Sequence, residues 1–208
     1  MFGSDKRLEG KTVAILATDG FEQSELLEPK KALEDSGAQV KVVSLAGDDI
    51  KGWNKGNWGK EVKSDLSVVN AEANKFDALM LPGGVINADK LRTNDDAIEF
   101  VRNFVVAGKP IAAICHAPWI LIEADAVHDR TLTSWPSLKT DLINAGAHWV
   151  DEEVSTDNGL VTSREPSDIP AFNKKMIEEF CEGRHSPVVS KEQSIRDTNF
   201  DGVPTSRH

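Results

Sequence analysis

The residue types most able to do covalent chemistry meet at Lys109-Pro110-Ile111-Ala112-Ala113-Ile114-Cys115-His116-Ala117-Pro118-Trp119. The uncharged run Ile111 to Ile114 reads as a short strand buried on both faces, and Pro118 suits the first turn of a helix. Cys115 then sits at a strand-to-helix turn, where one side chain projects over the carboxyl edge of a sheet and a helix N-terminus aims its free N–H groups at it. Such surroundings favour thiolate over thiol. A buried cysteine is often only a small hydrophobe. Here the apolar run stops at a polar, reactive pair, which points to a nucleophilic or redox role.

Alternating elements must hold that turn. Thr12 to Ala17 reads as a buried strand, Phe21 to about Ser36 as a turn and helix stopped by Gly37, and Gln39 to Leu45 as a second strand, so the chain opens with a βαβ unit whose first turn carries Glu22. Residues 46–63 break the pattern. Gly59-Lys60 there is no P-loop, because position 54 is Asn and Glu61 replaces the Ser or Thr that would hold magnesium. Trp53 and Trp58 read as a hairpin that either caps a pocket or subunit contact or folds back onto the core. Phe76 to Leu81 is a further buried strand followed by Pro82-Gly83-Gly84, either an anion or oxyanion site or a plain tight turn. One helical turn bearing Asp89 follows, then a helix from Asp95 to Ala107 capped by Asn94.

Beyond the central strand, Asp129 to Pro136 contains a short strand and Ser137 to Ala145 a helix. Glu153 to Ser155 and Leu160 to Ser163 flank an Asp157-Asn158-Gly159 hairpin turn. Ser167 or Asp168 is expected to cap a last helix ending near Phe180, and Cys181 is read as an ordinary helix-terminal thiol. Residues 1–182 make one domain and 183–208 a polar extension. The pattern specifies an α/β domain, a mostly parallel sheet covered by helices on both faces, with ligands at the carboxyl ends of the strands. Glu22, Gly83 with Gly84, and Cys115 with His116 all fall in turns at that edge.

A net charge of -10 and a pI near 5.0 argue against a nucleic-acid partner. No stretch approaches the apolar length of a membrane helix, no secretory segment opens the chain, and two cysteines make no disulfide framework, so a soluble cytoplasmic protein is expected. The five histidines show no HExxH pattern, and the site is read as needing neither metal nor cofactor.

Leu81-Pro82-Gly83-Gly84, Ala113 to Pro118, and Thr162-Ser163-Arg164-Glu165-Pro166-Ser167-Asp168 together resemble the PfpI family of intracellular cysteine peptidases and stress proteins, in the class I glutamine amidotransferase-like superfamily. The likeness runs from about Lys11 to Phe180. It implies a flavodoxin-like fold, a homodimer or higher homo-oligomer, and peptidase, glyoxalase or deglycase activity on peptides or small carbonyl compounds. By resemblance, Cys115 is the nucleophile, Glu22 the acid that contacts it, and the backbone N–H groups of Gly84 and His116, in the Gly83-Gly84 and elbow turns, form the oxyanion hole. Asp89 stands where peptidase members supply a Glu to the neighbouring subunit's histidine, and it is one methylene shorter. Ala117 replaces a frequent Gly. Two functions are carried forward: a cysteine hydrolase or lyase in which His116 shuttles a proton, and a redox-responsive stress protein whose Cys115 is oxidised.

Overall fold

In the computed structural model, which describes residues 6–185, the chain runs β1 (Thr12–Leu16), α1 (Gln23–Asp35), β2 (Gln39–Ser44), β3 (Ile50–Asn54), β4 (Asn57–Val62), β5 (Leu66–Ser67), β6 (Ala78–Leu81), α2 (Val85–Arg92), α3 (Asp95–Val106), β7 (Ile111–Ile114), α4 (Pro118–Glu123), β8 (Thr131–Leu132), α5 (Lys139–Asn144), β9 (His148–Trp149), β10 (Ser155–Asp157), β11 (Leu160–Ser163) and α6 (Ile169–Glu182). Seven strands form one sheet in the order β10-β11-β7-β6-β1-β2-β5. It is parallel except at β10, which returns antiparallel from β11 through Asn158-Gly159.

Strand alternation divides the core in two. Ala14, Leu16, Leu79, Leu81, Ile111 and Ala113 face one layer, where α3 and α4 pack and Phe76, Phe100 and Phe104 meet edge to face or tilted. Val13, Ile15, Ala78, Met80, Ala112 and Ile114 face the other, closed by Leu26 and Leu33 of α1 and by Phe172, Met176 and Phe180 of α6. With both faces covered, the strands carry no polar face, which is why they read as uninterrupted apolar runs.

The chain goes from β1 outward to β2, then crosses back to place β6 on the other side of β1, so the order reverses between β1 and β6. Adjacent turns diverge at such a point and leave a crevice at the carboxyl edge. Buried Asn87 ties the two turns together: its carbonyl accepts from Thr18 N at 2.8 Å, and its amide donates to Pro82 O at 2.9 Å and Gly83 O at 3.1 Å.

Asn94 caps α3 as expected, its Oδ1 accepting from Ala97 N at 2.9 Å. The region from Val85 to Arg92 is a full two-turn helix rather than one turn. Neither Ser167 nor Asp168 caps α6 through its side chain. Asp168 occupies the N-cap position, but its carboxylate is taken by the backbone N–H and guanidinium of Arg164. Of the extension beginning at residue 183, Gly183 to His185 lie against the domain, with His185 N donating to Gly108 O at 2.8 Å; residues 186–208 lie outside the described residues.

Candidate active site

Cys115 follows β7 with φ of 64°, the left-handed conformation an L-residue adopts only when its surroundings enforce it. Two hydrogen bonds do so: Cys115 N donates to Ser163 O and Cys115 O accepts from Trp135 N, both at 2.9 Å. The side chain is thereby thrown off the sheet edge before α4 begins. The space is made by Gly83, whose added Cβ would lie 2.6 Å from Cys115 Cβ and 2.7 Å from Ile114 O. Gly84, at φ of 92°, presses against the backbone of Gly20 to Glu22, leaving no room for a side chain.

A cavity of about 300 Å³ opens over the thiol. Cys115, His116, Glu22, Glu25 and Gly84 line it, with Trp53, Trp135, Val85 and Ile86 among its apolar walls. Trp53 therefore does cap a pocket. It pairs with Trp58 across the β3–β4 hairpin, 5.4 Å between ring centroids, and its N–H is bonded to Phe21 O at 2.7 Å, which fastens the hairpin to the first turn.

The acid that meets Cys115 is Glu25, not Glu22. Glu22 is the residue preceding α1, only partly buried at the cavity wall, with Ser24 Oγ 3.5 Å from its Oε1. Glu25 lies one turn inside the helix, on the same stripe as Pro29 and Leu33, and has no exposed surface. Its Oε2 accepts from Gly83 N at 3.0 Å, and its carboxyl group shares a side-chain hydrogen bond with Cys115. The spacing of Glu25, Pro29 and Leu33 fits the buried stripe, but Glu22, Leu26 and Leu33 fit it too, so the sequence does not separate the two acids. The same bond corrects the role of Gly83, whose N–H is spent on Glu25. The backbone N–H groups of Gly84 and His116 are the ones that reach the sulfur.

Electrostatically the site is neutral at rest, contrary to the expected thiolate. Burial, with the nearby charge of Glu22 as a lesser cause, pushes the Glu25 carboxyl up to about 8, so at pH 7 it holds a proton. Burial also pushes the Cys115 thiol up, and any charge on Glu25 would push it further; the Gly84 and His116 N–H groups act in the opposite sense without overcoming it. Burial drives His116 down to about 4, leaving a neutral imidazole whose Nδ1 stands 3.2 Å from Cys115 Sγ. Three neutral groups thus meet at the sulfur. The bond between the thiol and the Glu25 carboxyl lowers the acid's pKa and raises the thiol's, the sense of a thiol donating to a carboxyl oxygen, and His116 Nδ1 is a second acceptor within reach of the same thiol.

The His116 ring is held by aromatic contacts, stacked on Trp135 at 5.9 Å and edge-on to Trp119 at 5.2 Å. Arg92 lies over the Trp119 ring at 4.7 Å, and Trp119 Nε1 donates to Asp141 Oδ2 at 2.8 Å. Asp89 is not in the cavity of its own chain. Its exposed carboxylate pairs with Arg92 Nε at 3.1 Å. Cys181, by contrast with Cys115, is exposed at the end of α6.

Compared with known families, residues 11–179 match the sequence model of the DJ-1/PfpI family. The chain belongs to the DJ-1/PfpI family. It is 41% identical over 168 residues to the putative cysteine protease YraA of Bacillus subtilis, covering 80% of this chain and 96% of that protein. It is 42% identical over 169 residues to protein/nucleic acid deglycase 2 of Escherichia coli, with the same coverage of 80% and 96%. Among solved structures, Drosophila melanogaster DJ-1beta superposes with a TM-score of 0.75 at 28% identity, over 91% of this chain and 96% of that one. The parallel sheet flanked by helices is the fold of these relatives.

Proposed function

We propose that this DJ-1/PfpI protein is a cysteine-dependent hydrolase or lyase acting on small carbonyl compounds and their adducts with protein side chains, the deglycase and glyoxalase kind of chemistry, in the cytoplasm and as a homodimer or larger assembly. The observation that carries the reading is the enclosed floor of the cavity, where Cys115 Sγ lies 3.2 Å from a neutral imidazole nitrogen. As sulfur adds to a carbonyl carbon, the S–C bond forms, the thiol proton passes to His116 Nδ1, and the π pair moves onto oxygen. The Gly84 and His116 N–H groups are the donors available to that oxyanion. A protonated Glu25 steadies the developing charge on sulfur without adding a second anion.

A cavity of about 300 Å³ suits a small molecule or one modified side chain better than an extended peptide. Among the described residues, the His116 ring meets Cys115, Trp119 and Trp135, none of them a carboxylate that would orient it for peptide cleavage. Turnover of methylglyoxal and of methylglyoxal-treated N-acetylarginine tests the reading. Cys115→Ser should abolish it with the fold intact and Cys181→Ser should leave it unchanged. Activity retained by the first and lost by the second would refute the assignment.

One observation favours a second, redox reading: a protonated Glu25 beside the sulfur could donate equally to a sulfinate oxygen formed by two equivalents of hydrogen peroxide. Mass spectrometry after mild peroxide distinguishes them. Rapid addition of two oxygens at Cys115, with no turnover of either carbonyl substrate, supports the sensor.

A further inference from the structure

Away from the cavity, Glu179, Glu182 and His185 converge at the end of α6, their donor atoms all within 4.8 Å of one another. We propose that these three side chains bind a divalent transition-metal ion of the zinc type through one imidazole nitrogen and two carboxylate oxygens, with water completing a four-coordinate site.

The local fold builds the arrangement. Glu179 and Glu182 are three residues apart and share a helix face. The helix stops at Glu182, and Gly183, at φ of 89°, turns the chain so that His185 returns over that face. His185 is held from two sides: its N–H donates to Gly108 O at 2.8 Å, and its ring lies so close to Gly159 that an added Cβ there would come within 2.9 Å of the ring Cγ.

Two features separate this group from an ordinary surface cluster of acids. Among the described residues, His185 Nε2 is enclosed and makes no hydrogen bond of regular geometry, its one close polar neighbour being Glu179 Oε2 at 3.3 Å. Glu179 is itself only 9% exposed. A cation placed between the imidazole nitrogen and the carboxylate oxygen would satisfy both lone pairs, which now face each other. The nearest helix charges do not compete for the position. Lys175 is paired with Glu178 at 2.7 Å, and Arg184 lines a separate groove with Lys109.

A mixed nitrogen and oxygen donor set suits zinc, cobalt or nickel rather than calcium or magnesium. Gly108 and Gly159 precede β7 and β11, so the site lies at the edge of the sheet opposite Cys115. The ion would act as a clip joining α6 to two turns rather than as a reagent.

The test uses the full chain carrying Cys115→Ser and Cys181→Ser, which removes both thiols as rival ligands, freed of metal by a chelator and titrated calorimetrically with zinc chloride. One zinc per chain and a raised Tm are expected, with affinity at least tenfold weaker in His185→Gln and in Glu182→Gln. The exposed position of Glu182 makes the second variant safe for folding, and circular dichroism verifies both. Cobalt should give the visible absorption of a tetrahedral site, lost in the same variants. Absence of zinc binding, or an affinity unchanged in both folded variants, would overturn the proposal.

Discussion

Glu25→Gln should flatten the pH dependence of stability. The wild-type carboxyl titrates near 4.5 when unfolded and at about 8 when folded. Below pH 4.5 both states hold the proton. Between 4.5 and 8 the folded chain keeps a proton that the unfolded chain has released, so stability is lost as pH rises, by roughly 1.4 kcal/mol per unit. The loss is roughly 3 kcal/mol at pH 7 and about 4 kcal/mol at pH 8, where the folded carboxyl is half ionised, as orders of magnitude for one buried group. Glutamine keeps an oxygen to accept from Gly83 N and never ionises, so the variant should gain on wild type by about 3.5 kcal/mol between pH 5 and pH 8. Other titrating groups are common to both proteins and cancel in the difference. Urea unfolding followed by tryptophan fluorescence at pH 5, 6.5 and 8 measures it. A stability difference that stays constant across the three pH values would refute a proton held on Glu25, and with it the neutral resting site.

Three further outcomes are expected. Gly83→Ala should lose carbonyl turnover and roughly 2 kcal/mol or more of stability, because the new methyl group collides with Cys115, the carbonyl of Ile114 and the Glu25 carboxyl group; activity close to wild type would contradict the close approach at the elbow. The His116 ring should remain neutral down to about pH 4, so its NMR resonances should move only well below the ordinary histidine range, and a midpoint near 6.5 would mean that burial does not govern it. If Asp89 acts across a subunit boundary, mixing Cys115→Ser with Asp89→Asn chains should restore one intact site per mixed dimer. Full activity of Asp89→Asn alone, or no recovery despite subunit exchange, would remove Asp89 from the reaction.

The sequence alone carried the alternation of buried strands and helices, the cap at Asn94 and the elbow at Cys115, because each is encoded by neighbours a few residues apart: apolar runs, a capping side chain, a proline in the first turn of a helix. It also placed Gly83, Gly84 and His116 at one sheet edge, since parallel strands put all their following turns on the same side. Tertiary structure decided the rest. Which of two acids three residues apart meets the sulfur depended on the rotation of α1 against the sheet, which buries Glu25 and leaves Glu22 at the rim. The protonation of the site reversed for a related reason. A helix N-terminus favours a thiolate locally, but enclosure by the aromatic hairpin, the Trp135 loop and Glu25 removes the solvent that the charge requires, a cost no stretch of sequence displays. The meeting of His185 with Glu179 likewise exists only because Gly183 turns the chain back onto a helix face already folded against the sheet.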